Sequence, residues 1–204
     1  MAPVIPGDQI LDHPRVYLTW QGKFAEQKLV PVNAHNNNLS NVRRVLDVGC
    51  GPGTNTRHFS SAGYLGVDMN PAYIEYARKH YHREFLVADV CQYSAPPGDK
   101  YDFVLVNSFL HHIDLANTKR ILSHLSTLLT DDGHIHIVEV VVPKQSCLAR
   151  QLALWDRGKF VRPLHEWKEI FSEAFEPVVF EPFWLTQMGI KFWQMVYFKG
   201  KARS

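Results

Sequence analysis

The chain has 204 residues, 46% of them hydrophobic and 12% aromatic, so it can form one globular domain with a substantial core. Its 22 lysines and arginines and 20 aspartates and glutamates leave a formal net charge of +2, which argues against a broad nucleic-acid-binding surface. The three cysteines include no CxxC pair and predict neither a disulfide framework nor a thiolate metal site. The N-terminus shows no secretory signal pattern and no apolar run reaches about 18 residues, so we predict a cytoplasmic protein without a membrane span.

In chain order, residues 1–40 come first and predict a lead-in helix followed by a loop. Five short apolar runs then predict strands at 42–48, 64–67, 85–88, 103–106 and 135–142. Helical patterns fill the intervals between these strands. A helix-like run covers 54–62, and Asn70 followed by Pro71 is a typical helix start. Asp114 precedes a further helix that carries an apolar stripe.

Repeated strand and helix units predict a doubly wound α/β fold, because parallel strands need crossover helices that cover both faces of the sheet. In residues 143–204 the order of elements changes: two helices are predicted at 146–156 and 163–174, followed by strands near 177–181 and 194–198. The two last strands predict a closing hairpin. We expect residues 1–204 to form a single domain, in which 1–40 are a lid or lead-in segment and 143–204 supply the last helices and the hairpin.

A glycine-rich turn directly after the first strand is the strongest functional signal, with Gly49, Gly51 and Gly53 in alternate positions. Glycines let the backbone turn tightly and let a ligand approach it closely. A dinucleotide fingerprint needs the spacing GxGxxG, and Thr54 stands where its last glycine would fall, so a nicotinamide dehydrogenase is disfavoured. No lysine or arginine accompanies the turn, as a P-loop would require.

Polar side chains end four successive predicted strands. Asp47, Asp68 and Asp89 are spaced by 21 residues each, and Asn107 follows the fourth strand. Because the carboxyl ends of parallel strands meet at one edge of a sheet, we expect these groups to face a single crevice. A carboxylate after the second strand suits ribose hydroxyls, and one after the third suits an adenine amino group. The pattern therefore predicts an adenosine ligand without phosphates, with Asp47 near a cationic part of it.

Four segments carry a family resemblance: DVGCGPGT at 47–54, GVDMNPAYIEYAR at 66–78, ADV at 88–90 and YDFVLVNSFLHHID at 101–114. They resemble the class I S-adenosylmethionine-dependent methyltransferases, closely over residues 42–142. Residues 146–163 are similar to small bacterial members that carry an ALxDRGxFVR-type stretch. The resemblance implies a Rossmann-like sheet of seven mostly parallel strands in the order 3-2-1-4-5-7-6. It also implies S-adenosylmethionine as cofactor and S-adenosylhomocysteine as product.

The resemblance further implies roles for individual positions. Asp47 would lie near the methionine part of the cofactor, Asp68 would hold the ribose, and Met69 would flank the adenine. Asp89 and Val90 would meet the adenine edge. The remaining implied contacts are the backbone bed of Gly49, Gly51 and Gly53, and Asn107 with Ser108 facing the sulfonium end.

Histidines follow the fourth strand, where an acceptor would approach the methyl group. His111 and His112 are candidate catalytic residues, because imidazole titrates near neutral pH and can take a proton from the acceptor; His112 is the preferred base. The alternative is that one ring packs under the cofactor and the other binds backbone. His134 and His136 share one strand face without a third ligand, so we interpret them as a structural or exposed pair and predict no metal. Glu139 either lines the acceptor pocket or makes a buried hydrogen bond.

The C-terminal third is rich in aromatic side chains, which are concentrated between Trp155 and Phe198. They complete the core, line an apolar acceptor pocket or form a homodimer face, and the sequence leaves these alternatives open. A charged group in the same region is either a structural cluster or a contact for an anionic substrate. Its members are Asp156, Arg157, Lys159 and Arg162.

Taken together, these features predict methyl transfer to a small, apolar or aromatic metabolite that enters beneath a lid formed by Tyr17, Trp20 and Phe24. A small-molecule acceptor is thus the expected partner, and a nucleic acid is not expected. The alternative is a protein that binds S-adenosylmethionine without transferring its methyl group, for another reaction or for a partner.

Overall fold

The structure is a computed structural model that describes residues 24–60, 62–96, 98–155 and 158–203. The strands are β1 Arg44–Val48, β2 Gly63–Asp68, β3 Glu84–Val87, β4 Tyr101–Asn107, β5 Leu129–Val141, β6 Phe175–Gln187 and β7 Ile190–Ala202. The α-helices are α1 Ala25–Ala34, α2 Pro71–His80, α3 Leu115–Thr127, α4 Leu148–Trp155 and α5 Leu164–Ala174. Short 3₁₀ turns cover Asn37–Leu39, Thr54–His58 and Leu110–His112.

All seven strands form one sheet in the order β3-β2-β1-β4-β5-β7-β6. Strands β1 to β5 pair in parallel, and β7 is antiparallel to both of its neighbours, β5 and β6. The predicted fold class and strand order are therefore confirmed. The carboxyl ends of β1 to β4 lie at one edge of the sheet, which is where ligands bind in open α/β sheets.

Helices cover both faces of the sheet, and alternate residues of each strand point to opposite faces. On one face, Leu46 and Val104 belong to a buried cluster with Leu122 of α3 and Trp167 of α5. The opposite face holds a second cluster, which contains Val45, Tyr64, Phe103, Leu105, Leu29 of α1, Ile74 of α2 and Ala153 of α4. This sandwich leaves the carboxyl edge of the sheet available for a site.

The helices that flank this edge begin at the residues predicted from the sequence. The Asn70 side chain accepts a hydrogen bond from the Ala72 N–H at 2.9 Å, and Pro71 occupies the first helical position of α2. The Asp114 carboxylate accepts from the Asn117 N–H at 3.0 Å and caps α3. These caps fix where the chain leaves the edge of the sheet and turns into a helix.

The predicted helix over 54–62 is wrong, because only a 3₁₀ turn forms there. Gly53 enters the segment in the left-handed conformation with φ of 81°, and the turn bonds link Thr56 N–H to Gly53 O and Phe59 N–H to Thr56 O. The Arg83 guanidinium then donates to the Phe59 and Ala62 carbonyls, each at 3.0 Å. A long-range side chain thus binds carbonyl groups of the segment that follows the turn.

The closing hairpin is confirmed, but its strands are longer than predicted, at 13 residues each. Pro177 and Pro182 obscure the strand pattern of β6 in the sequence. Both are tolerated because β6 is an edge strand, where a missing N–H breaks no ladder bond if it faces outward. A bulge between Pro177 and Val179 shifts the alternation by one residue. Met188 and Gly189, both with positive φ, form the connecting turn.

Several predicted features fall outside the described residues. These are Tyr17 and Trp20 of the expected lid and Asp156 and Arg157 of the charged cluster. Within the described ranges, none of the helices combines the length and the apolar character needed to cross a bilayer.

We expect Gly66→Ala in β2 to lower the free energy of unfolding by roughly 1 to 3 kcal/mol, as overpacking of a core does. A Cβ atom at this position would lie 2.7 Å from Phe85 Cδ1 and 2.9 Å from Cys50 Sγ. Gly63→Ala in the same strand is the matched control, because its Cβ atom would come no closer than 3.5 Å to the Arg43 carbonyl oxygen. Urea unfolding of both variants tests this, and equal stabilities would contradict the assigned packing.

Candidate functional site

A cavity of about 290 Å³ lies at the carboxyl ends of β1, β2 and β4, the edge predicted to hold the site. The ends of the first three parallel strands supply Val48, Gly49, Val67, Asp68, Met69, Ala88, Asp89, Val90 and Cys91. The segment after β4 and the first half of α3 supply Phe109, His112, Ile113, Asp114, Asn117, Arg120 and Ile121, and Phe160 completes the wall.

A larger groove of about 880 Å³ opens at the amino ends of the strands and is lined by Arg44, Arg78 and Arg83 among others. Its guanidinium groups already bind protein oxygens. Arg44 pairs with Asp99 at 2.5 Å, and Arg78 and Arg83 donate to backbone carbonyls. We therefore place the candidate site at the smaller cavity, which has the chemistry predicted from the sequence.

The cavity brings together six of the predicted site residues: Gly49, Asp68, Met69, Asp89, Val90 and His112. The other predicted residues lie outside its lining: Asp47, Gly51, Gly53, Asn107, Ser108 and His111. Sequence reasoning did not single out Phe109, Ile113, Asn117 and Arg120 as lining residues, whereas Phe160 belongs to the C-terminal aromatic group for which pocket lining was one alternative. Their position depends on how α3 and the segment before α5 return to the sheet edge, and local pattern does not encode that.

The Asp68 carboxylate is held in place by backbone on two sides. Its Oδ2 atom accepts from the Gly51 N–H at 2.9 Å, and its Oδ1 atom accepts from the Asn70 N–H at 2.8 Å. Burial raises the pKa of Asp68, although these two N–H groups act in the opposite direction. A carboxylate has about four acceptor sites, so both oxygens retain capacity for a ligand hydroxyl.

Asp89 is anchored in a similar way at the end of β3. Its Oδ1 atom accepts from the Cys91 N–H at 2.9 Å, and its Oδ2 atom is 3.3 Å from the Gln92 side-chain amide. The same turn places Val90 in the cavity wall. Asp68 and Asp89 thus present two oriented acceptors to one cavity.

Asp47 lies beneath the glycine turn and is fully buried. Its Oδ2 atom accepts from the Tyr64 hydroxyl at 2.5 Å and from Asn55 Nδ2 at 3.0 Å, and Asn107 in turn donates to Asn55 Oδ1 at 3.3 Å. Within the described residues, Asp47 Oδ1 is buried and has no hydrogen-bond partner. Burial raises the pKa of Asp47 to about 6, against the lowering effect of its two donors.

The glycine turn has the backbone conformations that only glycine adopts readily. Gly49, Gly51 and Gly53 have φ values of 66°, 55° and 81°. At Gly49 a Cβ atom would also lie 2.6 Å from Phe109 Cδ2, so the missing side chain makes room for this ring. The glycine motif therefore shapes both the backbone bed and the contact with the segment after β4.

His111 and His112 are adjacent in sequence but have different environments. His112 lines the cavity, whereas His111 is buried with 3% exposure. The His111 Nδ1–H donates to Glu139 Oε2 at 2.7 Å. Glu139 thus makes the buried hydrogen bond that was one of its two predicted roles. Burial alone would raise the pKa of Glu139, but His111 and the Leu110 and Phe109 N–H groups outweigh it, and the net pKa is lowered.

His136 has the environment of a structural histidine, whereas His134 is only half-buried. His136 is buried and stacks on Phe103 with ring centroids 3.8 Å apart. Its Nδ1 atom is 3.0 Å from the Tyr197 hydroxyl, and burial holds its pKa well below the usual range. A neutral, stacked imidazole is what the core requires at this position.

Comparison with known proteins finds methyltransferases. A family model described as "Methyltransferase domain" matches residues 45–133. The chain is 30% identical over 154 residues to trans-aconitate 2-methyltransferase of Escherichia coli, covering 67% of this chain and 57% of the relative. The Shigella flexneri protein of the same name is 31% identical with the same coverage. The chain thus spans less than two thirds of the length of these curated relatives.

Solved structures show the same fold. A SAM-dependent methyltransferase from Methanosarcina mazei superposes with a TM-score of 0.68 at 22% identity, covering 84% of this chain and 98% of that one. The N-methyltransferase NodS of Bradyrhizobium japonicum, solved with S-adenosyl-L-homocysteine, gives 0.65 at 16% identity, with 88% and 87% covered. A Burkholderia thailandensis 1,6-didemethyltoxoflavin-N1-methyltransferase gives 0.66 at 18% identity and covers 100% and 93%.

The strand order defines a Rossmann-like methyltransferase fold, and the glycine turn and the acids at successive strand ends lie at the carboxyl edge of its sheet. With the matches above, this chain belongs to the class I S-adenosylmethionine-dependent methyltransferase family. The cofactor of that family is S-adenosylmethionine.

In the absence of ligand, we expect Asp47→Asn to raise the free energy of unfolding, and this stabilisation should grow as pH rises. A carboxyl group whose folded pKa is raised to about 6 contributes stability that is present below its unfolded pKa and is lost as pH rises through 6. The stability difference between variant and wild type should grow by about 2 kcal/mol between pH 4 and pH 8. Urea unfolding at both pH values measures it, with exposed Asp131→Asn as control. A difference that does not depend on pH would contradict the buried, half-satisfied state of Asp47.

Proposed function

We propose that this protein transfers a methyl group from S-adenosylmethionine to a small-molecule acceptor at the carboxyl edge of the sheet. The observation that carries the proposal is the pair Asp68 and Asp89. Each carboxylate is anchored by a backbone N–H at 2.8 to 2.9 Å, and both line one cavity of about 290 Å³. Two fixed acceptors on adjacent strands match the ribose hydroxyls and the amino group of an adenosine.

The described residues fit the rest of the cofactor. Met69 and Val90 offer apolar surface for the adenine ring, and the bare backbone at Gly49 can approach the chain beyond the ribose. Asp47 Oδ1, which has no hydrogen-bond partner among the described residues, is a buried negative centre below the glycine turn, where a positively charged group is favourable. Asn107 and Ser108 follow at the end of β4 and would face the sulfonium end. When bound, the cofactor supplies an electrophilic methyl group on a positively charged sulfur.

The chain's part in the reaction is mostly alignment. Fixed carboxylates and a rigid turn hold the reacting groups in line, and such positioning lowers a barrier by several kcal/mol. His112 lies in the cavity wall and can accept a proton from an acceptor hydroxyl or amine. It is needed only for an acceptor that must be deprotonated.

We infer a small apolar or aromatic acceptor. Phe109, Ile113 and Phe160 contribute apolar wall, and Phe160 remains 39% exposed. Among the described lining residues, Arg120 is the single arginine or lysine. Trans-aconitate, the substrate named for the curated relatives, carries three carboxylates and would call for more positive charge. Cytoplasmic location, a homodimer and the absence of a nucleic-acid partner stay predictions.

We expect Asp68→Asn to weaken binding of S-adenosylhomocysteine about tenfold to a hundredfold. Loss of a hydrogen bond to a charged acceptor costs roughly 1.5 to 3 kcal/mol. Titration calorimetry with wild type, Asp68→Asn and the exposed control Asp131→Asn measures it. NAD is the negative control, and we expect it not to bind. If the wild type takes up no S-adenosylhomocysteine, or Asp68→Asn binds it as well as wild type does, the assigned cofactor site is wrong.

A panel of acceptors tests the reaction itself. Wild type is incubated with S-adenosylmethionine and either trans-aconitate, a phenol or an aromatic amine, and release of S-adenosylhomocysteine is followed. We expect release with an aromatic acceptor, and we expect His112→Ala to keep cofactor affinity while lowering turnover. Unchanged turnover in His112→Ala removes this residue as the base. Binding without release in every case would favour the alternative function, in which the nucleoside is bound but its methyl group is not transferred.

A further inference from the structure

Four backbone polar groups of the turn after β4 are bound by side chains from elsewhere in the chain. It contains Phe109 and His112, both of which line the cavity. Within the turn, His112 N–H bonds to Phe109 O at 3.1 Å and Ile113 N–H to Leu110 O at 3.0 Å. Every other contact described below reaches it from β5 or from residues 158–162. Contacts with β5 and with residues 158–162 therefore fix the position of the turn.

Glu139 of β5 binds the amino side of the turn. Its Oε1 atom accepts from the Phe109 N–H at 2.7 Å and from the Leu110 N–H at 2.5 Å, and its Oε2 atom accepts from His111 Nδ1 at 2.7 Å. The side chain of Glu139 has 0% exposure. A buried carboxylate is tolerated only when such donors surround it. Because an ionised carboxylate only accepts, Nδ1 of His111 must carry the proton.

Arg162 binds the carbonyl side of the same turn. Its guanidinium donates to Ile113 O at 2.9 Å and to Leu110 O at 3.4 Å, and it stacks over Trp167 at 4.8 Å. Its own backbone is tied to the end of β5, because Val141 forms a bridge with Arg162 and the next residue, Val142, donates its N–H to Arg162 O at 3.0 Å. Burial lowers the pKa of Arg162, and the negative charges of Glu139, Glu166 and Asp114 oppose that change.

The segment before Arg162 packs directly on His111. Phe160 N–H donates to His111 O at 3.0 Å. At Gly158 a Cβ atom would lie 2.1 Å from His111 Cδ2, so this position must lack a side chain. The His111 ring in turn contacts the His112 ring, with centroids 4.2 Å apart. A displacement of His111 is thus transmitted to a residue of the cavity wall.

We propose that Glu139 and Arg162 are positioning residues that clamp this turn, with Glu139 fixing the Nδ1–H tautomer of His111 and both together fixing the place of the His112 ring in the cavity wall. The functional meaning of the clamp rests on the proposed methyl transfer, since it would hold the candidate base beside the methyl group. Neither residue lines the cavity, and each acts through the turn. The charged residue Arg162 thereby has a structural assignment, one of the two alternatives left open by the sequence.

The test is a long-range ¹H–¹⁵N spectrum of protein labelled at histidine, with His111 and His112 assigned by single substitutions. In wild type we expect His111 as the Nδ1–H tautomer. In Glu139→Gln the amide oxygen can keep the bonds to the turn, so its NH₂ group faces Nδ1, and His111 should switch to the Nε2–H tautomer. Glu173→Gln is the matched control, because that glutamate is 60% exposed in its pair with Lys119.

Two further variants separate the parts of the clamp. Arg162→Lys keeps the charge but loses the two-pronged donor, and Gly158→Ala pushes on His111 with Glu139 intact. Both should move the His112 signals and leave the His111 tautomer unchanged. Three results would each overturn the proposal. The first is an Nε2–H tautomer of His111 in wild type, and the second is an unchanged His111 tautomer in folded Glu139→Gln. The third is His112 signals that do not move in Arg162→Lys and Gly158→Ala. If Glu139→Gln does not fold, the wild-type spectrum and Gly158→Ala decide.

Calorimetry with S-adenosylhomocysteine on the same samples separates this proposal from the proposed function. Because Asp68 and Asp89 are intact, we expect affinities within about threefold of wild type in the variants, less than the cost of one lost hydrogen bond. If the histidine spectra are as expected but the wild type shows no heat of binding with S-adenosylhomocysteine, the cofactor site is refuted and the clamp is not. Normal binding beside an Nε2–H His111 would refute the clamp alone.

Discussion

The contact between the Asp68 carboxylate and the Gly51 N–H is the interaction on which the site depends, because it joins the glycine turn after β1 to the end of β2. The same carboxylate also caps the backbone at Asn70, where α2 begins. Three separate segments are thereby fixed around one pair of oxygens. A ligand that uses Asp68 meets an acceptor already oriented before binding, so little ordering has to follow.

Two other carboxylates, Asp47 and Glu139, are both completely buried, but they differ in their hydrogen-bond partners and in the direction of their pKa shifts. Glu139 is surrounded by donors and its pKa is lowered, so it behaves as a permanent ion that organises backbone. In the part of the chain that the structure describes, one oxygen of Asp47 has no partner and burial raises the pKa of this carboxyl, so its charge is costly until another group compensates it. The donors around Glu139 make the backbone near it rigid. The buried charge of Asp47 destabilises the protein without ligand, and a cationic ligand can offset this cost.

The sequence was sufficient to predict the sheet, its strand order through the resemblance, and the caps at Asn70 and Asp114, since these depend on local periodicity and on single side chains next to the backbone they bind. Asp68 and Asp89 were found for the same reason, as acids at strand ends. Gly158 could not be found in this way, and Phe160 could only be assigned to an aromatic group with several alternative roles, because both act through contacts with His111, about 50 residues away in the chain. The helix predicted over 54–62 was wrong because Gly53 enters the segment in the left-handed conformation and starts a 3₁₀ turn, while Arg83 binds the Phe59 and Ala62 carbonyls beyond that turn.

The edge position of β6 bears on how copies of this protein could associate. An exposed edge strand invites a neighbouring strand to extend the sheet, and the ring nitrogens of Pro177 and Pro182 offer no donor for such an addition. The adjacent bulge also twists the outer margin away from a flat register. The two prolines therefore disfavour intermolecular strand pairing along β6 and leave β3, Glu84–Val87, as the edge strand without this obstacle.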